Sequence, residues 1–266
     1  MNEFKDQLMK FHRYTLPLLA CLFAFPAATA FAQSPAATLQ QAQQANQFTC
    51  LVFYRDNSAP THKMLEVVQK SVTAHAPNLT MATTSLATPE GQQLAEQFKV
   101  SRAPMPMTVV VAPNGAVTGL FAKQVAPQNV ASAIVPPVMM ECMKELQEQK
   151  LVFVCLTKSE QAAVPAGVRA LQLDPMFKDR MALIGLNVQD TTEAKLMNQL
   201  KVDANMVSGP MAALIAPPGV LVGHFNATDS ADQIAAAIHK AGKCCDDPNC
   251  KHGASAQASQ STTSRR

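Results

Sequence analysis

Pro106-Met-Thr-Val-Val-Val-Ala-Pro-Asn-Gly115-Ala-Val-Thr-Gly119-Leu-Phe121 and Pro210-Met-Ala-Ala-Leu-Ile-Ala-Pro-Pro-Gly219-Val-Leu-Val-Gly223-His-Phe225 are two ungapped copies of one pattern. Each begins with Pro-Met, turns at Ala-Pro-x-Gly, keeps a later Gly and ends on Phe. Each reads as an apolar strand, a tight turn and a second strand, a β-hairpin, with Asn114-Gly115 the stronger turn signal. An interval of about 100 residues is too long for a solenoid repeat and suits a duplicated small domain.

Outward from the hairpins, both halves follow the same order. In the first, Thr38 to Gln47 is a Gln/Ala-rich run of good helix formers. Phe48 to Arg55 is rich in strand formers and reads as a central strand. Asp56 to Pro60 is a turn, and Lys63 to His75 carries Met64, Val67, Val68 and Val72 at helical spacing. Leu79 to Leu86 is a second strand. Thr88 then caps a helix with Pro89 at its first position. The hairpin follows, and Pro127 to Ile134 closes the half.

After Pro136-Pro137 the order restarts. Val138 to Glu148 is a helix, and Leu151-Val-Phe153 repeats Leu51-Val-Phe53. Ser159 to Leu171 is a helix that Pro165 and Gly167 threaten to break. Met181 to Gln189 is a strand and Thr192 to Val202 a helix. After the second hairpin comes a helix from Ser230 to Ala241. The chain divides accordingly into 1–32, 36–136, 137–242 and a polar tail, 243–266, with too few apolar groups to fold alone.

Residues 1–32 read as a secretory signal. Lys5, Lys10 and Arg13 precede an apolar run from Leu16 to Phe31, with a small-x-small exit at Ala30-Phe-Ala32. An exported protein, periplasmic or extracellular, is expected; lipid attachment at Cys21 or a retained anchor is the alternative. No other stretch reaches the ~18 apolar residues that span a bilayer. Charged residues are 15% of the chain and the net charge is +3, with no Trp and two Tyr. That composition offers neither a basic face nor an aromatic platform for nucleic acid.

The element order, with Pro at the head of the third strand and Gly in the following turn, resembles the thioredoxin-like family, twice. The resemblance covers Thr38 to Ile134 and Val138 to Ala241. It implies an α/β fold of two tandem domains, each a central mixed sheet flanked by helices. It also implies that Pro106 and Pro210 stand at the family's cis-Pro position, facing a loop that normally carries C-x-x-C. Here that loop reads Ser58-Ala59-Pro60-Thr61, and the second copy, Thr157-Lys-Ser-Glu-Gln161, has no cysteine either. Dithiol exchange needs an attacking thiolate and a resolving thiol. Hydroxyls supply neither, so no catalytic residue is assigned.

Six cysteines remain beyond residue 32. Cys50 and Cys155, inside central strands, read as small buried residues. A disulfide from Cys142 to Cys155 is the alternative. The tail holds Cys244, Cys245, Cys250 and His252, a set that suits a disulfide, with Zn²⁺ or Cu(I) the alternative occupant. Met139, Met140 and Met143 flank Cys142 in a sequence whose thioethers and thiolate suit Cu(I). They read first as core filling on an apolar helix face. Ser58 and His62 are spaced as a nucleophile and base on one helix turn. His62 reads as a solvated residue at a helix start. No cofactor is expected outside the tail. The expectation is an exported, catalytically degenerate protein that holds an unknown polypeptide beside Pro106 or Pro210. A thiol-redox protein using other cysteines, or a metal-binding protein using the tail, is the alternative.

Overall fold

The computed structural model describes residues 34–158 and 163–242. The signal reading, residues 159–162 and the tail with Cys244, Cys245, Cys250 and His252 lie outside them. Two four-stranded sheets carry the fold. The first half runs α1 (Pro35–Gln44), β1 (Phe48–Tyr54), α2 (Ala59–His75), β2 (Leu79–Ser85), α3 (Pro89–Gln97), β3 (Met107–Val111), β4 (Val117–Ala122) and α4 (Pro127–Ala133). The second runs α5 (Pro137–Gln147), β5 (Leu151–Thr157), α6 (Ala166–Leu173), β6 (Met181–Asn187), α7 (Ala194–Leu200), β7 (Met211–Ala216), β8 (Val220–Asn226) and α8 (Ala231–Lys240).

The sheet orders are β2-β1-β3-β4 and β6-β5-β7-β8. In each, the first pair is parallel and the other two pairs are antiparallel. Parallel neighbours need a crossover, and α2 and α6 supply it; antiparallel neighbours close through the two hairpins. The duplication extends to irregularities, because both hairpins shift register one residue before the turn, at Val110/Val111 and at Leu214/Ile215. Gly115 and Gly219 take the positive φ angles of +82° and +133° that these turns require. Two mixed sheets flanked by helices fit the tandem thioredoxin-like arrangement.

Strand alternation sorts the core. On β1, Leu51 and Phe53 pack with Leu39 of α1 and Leu94 and Ala95 of α3. Phe53 meets Phe98 edge-on, with ring centroids 6.5 Å apart. Cys50 and Val52 face the other way, toward Met64, Val68 and Val130. On β5, Leu151, Phe153 and Cys155 pack with Val168 and Leu171 of α6 and Ile234 and Ile238 of α8. Val152, Val154 and Leu156 pack with Met139, Cys142, Leu196 and Leu200. This last layer and the Cys50 layer of the first sheet belong to one cluster, which also holds Ala112, Ala116 and Val135. Two sheets with two faces each therefore share three hydrophobic clusters.

Polar contacts seal the same junction. Asn114 Nδ2, in the first hairpin turn, donates to Met140 O at 3.0 Å. Gln147 takes both backbone groups of Val117: its Oε1 accepts from Val117 N at 2.9 Å and its Nε2 donates to Val117 O at 2.7 Å. The amide thus pairs with part of the exposed edge strand β4 as a neighbouring strand would.

One expectation and one alternative reading are corrected, while Cys50 and Cys155 are buried as expected. The helix read from Ser159 begins only at Ala166, with Pro165 as its N-cap residue. Gly167 does not break it; a Cβ there would come within 2.2 Å of Asp229 O, so glycine lets α6 approach the residues that lead into α8. Cys142 and Cys155 are free rather than bridged. Alternation turns Cys155 toward α6 and α8, on the face of β5 opposite α5.

Candidate functional site

The first sheet brings Ala59 and Pro60, at the start of α2, to one groove with Pro106; Ser58, the N-cap residue, and Thr61 are not in its lining. Asp56 accepts from Ser58 N at 3.2 Å, which shapes the turn after β1. That contact, from the side chain and then the backbone of Ser58, holds the Asp56 carboxyl below its ordinary range. Ser58 is the N-cap residue of α2 but its hydroxyl does not cap; it lies 3.3 Å from Thr61 Oγ1. Ser58 and Thr61 are thus held together by a hydroxyl–hydroxyl hydrogen bond. Thr61 is buried and Ser58 is half-buried.

Across from this turn, the Met105–Pro106 bond is cis. Pro106 O accepts from Lys123 N at 2.7 Å, which ties the entry of β3 to the end of β4. Ala59, Pro60, Lys63 and Val67 of α2 form one wall of the groove; Met105 and Pro106 join Phe121 to Pro127 in the other, around a volume of about 1220 Å³. Its lining carries two lysines, Lys63 and Lys123, and no acid, histidine or cysteine. Apolar surface with a few polar groups is the usual make-up of a binding cleft. His62 is exposed and is not part of the lining. Thr108, two residues beyond Pro106, is buried and its hydroxyl has no hydrogen-bond partner.

The second sheet does not repeat this geometry. The cis bonds among the described residues are Ala76–Pro77, Met105–Pro106 and Pro217–Pro218, so the expectation of a cis bond at Pro210 is corrected. The surroundings differ as well. Met105 packs against the core beside Pro106, whereas Gly209 has no side chain to pack, and a Cβ built on it meets nothing within 4 Å. A short 3₁₀ turn, Ala204–Met206, precedes this segment.

The described cysteines are poorly suited to act as nucleophilic thiolates. Burial pushes Cys50 and Cys142 up to about 12 and Cys155 up to about 11. No group of three or more His, Cys, Asp or Glu that could hold a metal occurs among the described residues. Nor is any described helix long and apolar enough to cross a membrane.

One functional-looking residue escaped the sequence reading. Glu193 is buried, and its Oε1 accepts from Val138 N at 2.7 Å. It supplies from a distance the cap that Pro136 cannot give α5. Its other oxygen has no partner. Burial raises its pKa, against the lowering effect of the Val138 and Met139 backbone bonds. Nothing in the local spacing of Thr192-Glu193 signals this, because the partner lies 55 residues away.

No protein-family model and no curated protein matches the chain. Among solved structures, the first two thioredoxin domains of Saccharomyces cerevisiae Eps1p align at 10% identity and a TM-score of 0.31, over 80% of this chain and 98% of that one. The NTD_N/C domain of alkylhydroperoxide reductase AhpF from Enterococcus faecalis aligns at 15% and 0.28, over 77% and 100%. A DsbH oxidoreductase aligns at 18% and 0.31, over 38% and 82%.

Proposed function

We propose that this chain is an exported tandem thioredoxin-like protein that binds extended polypeptide in the groove beside Pro106 and performs no dithiol exchange. The observation that carries the reading is the lining of that groove. Pro60 and Pro106 face a common apolar space, Ser58 and Thr61 pair through hydroxyls, and no thiol borders it. Backbone-directed binding needs shape and apolar contact, not a nucleophile. Lys63 and Lys123 give the groove a positive lining, so the preferred peptide is apolar with acidic flanks. The second half buttresses the first through the shared core.

The test is fluorescence anisotropy with labelled extended peptides, apolar with acidic or basic flanks. Binding should favour the acidic set, weaken with salt, and fall when Lys63→Glu and Lys123→Glu are combined or when Val67→Trp fills the groove. Circular dichroism checks that the variants fold. Binding that ignores all three substitutions refutes the groove. Catalytic reduction of insulin by the purified protein refutes the absence of dithiol chemistry.

A further inference from the structure

A second cavity, of about 450 Å³, lies where α5 meets α7 and the turn of the second hairpin. Met139, Cys142 and Met143 line it from α5, with Leu196 and Leu200 from α7 and Leu221 from β8. The three sulfur residues sit at i, i+3 and i+4, the spacing that puts side chains on one helix face. They therefore bring two thioethers and one thiol to a single apolar space. Gln199 is the polar side chain in the lining, and no histidine or carboxylate joins it.

We propose that this cavity is a site for Cu(I), held by the sulfurs of Met139, Cys142 and Met143. Thioether and thiolate are soft donors and select Cu(I) over Zn²⁺ and the harder divalent ions. Cu(I) is stable with few ligands in an apolar setting, where a divalent ion would carry an uncompensated charge. Binding exchanges one proton for one metal ion: Cys142 Sγ–H gives up H⁺ and Sγ bonds Cu(I), so the buried unit stays neutral and no electron is transferred. Met140 points elsewhere: it packs against the core but does not line this cavity. The site is independent of the Pro106 groove and of the tail.

The experiment uses the full chain with Cys21, Cys244, Cys245 and Cys250 replaced by Ser, titrated anaerobically with Cu(I) against a competing chromophoric chelator. One equivalent should be retained, with a sulfur-only first shell in X-ray absorption and one proton released. Cys142→Ser should abolish stoichiometric binding. Because that residue is buried, Met143→Leu provides the second variant; it is close to volume-conserving. It should weaken binding by at least the tenfold or so that loss of a mere outer-shell partner costs. No retained Cu(I), retention unchanged in Met143→Leu, or a nitrogen or oxygen first shell would each overturn the assignment. So would uptake of an apolar dye by this cavity that a stoichiometric equivalent of Cu(I) fails to displace.

Discussion

Removing the Glu193 carboxylate should destabilise the protein where the two halves meet, and the size follows from its contacts. The carboxylate accepts from Val138 N at 2.7 Å and also from the Met139 backbone, at the start of a helix with no cap of its own. Glu193→Ala strands those donors at a buried junction. Hydrogen bonds to charged groups contribute about 1.5–3 kcal/mol, so a loss of about 2–3 kcal/mol is expected. For a chain of this size that corresponds to about 4–12 °C in Tm. Glu193→Gln keeps an oxygen at the acceptor position and removes the charge that burial penalises, so it should lie within about 1 kcal/mol of the parent. The pH dependence carries the sharper test. Burial raises the native pKa of Glu193 above its ordinary value of 4.5, so the folded state binds this proton more tightly than the unfolded chain does. The parent should therefore gain stability relative to Glu193→Gln as the pH falls from 7 through the native pKa, levelling off below 4.5. Urea unfolding at a series of pH values, read by circular dichroism, measures both effects. An Ala variant as stable as the Gln variant would refute the capping role. A parent that loses ground to Gln as the pH falls would refute the burial argument.

Gly167→Ala should cost several kcal/mol, since its Cβ would press within 2.2 Å of a backbone oxygen, while Gly223→Ala, whose nearest contact is 3.7 Å, should cost less; thermal melts compare them. Thr108→Val should stabilise by about 1 kcal/mol in denaturant titration, because it removes a buried hydroxyl without a partner. Gln147→Ala should destabilise by about 1 kcal/mol by releasing both backbone groups of Val117, and it should increase amide exchange at that residue. In the native protein at pH 8, Cys50, Cys142 and Cys155 should react with a thiol reagent no faster than the protein opens. Burial raises all three thiols well above that pH, and mass mapping would locate any exception.

Local patterns carried much of this architecture. Pro106-Met and Pro210-Met mark strands because a short, largely apolar run bounded by a Pro/Gly turn follows each, and Asn114-Gly115 marks a turn because glycine tolerates the positive φ found there. Thr88 caps α3 through Gly91 N at 3.1 Å, and Ser230 forms a reciprocal cap with Gln233, both within reach of four consecutive residues. Pro165, which the sequence marks as a breaker, stands just before the first residue of α6 rather than inside it. The absence of cysteine from Ser58–Thr61 was also plain in the sequence.

What the sequence alone determined, then, is the element order, the duplication and the hydroxyl-bearing pair Ser58 and Thr61 after β1, because each depends on residues close together in the chain. Tertiary structure decided which face each cysteine occupies, that Pro106 and not Pro210 takes the cis form, and that Glu193 caps a helix 55 residues away. It also decided that one hydrophobic layer runs through both halves. These depend on distant side chains meeting in a packed interior, and packing is a property of the assembled surfaces that no local spacing encodes.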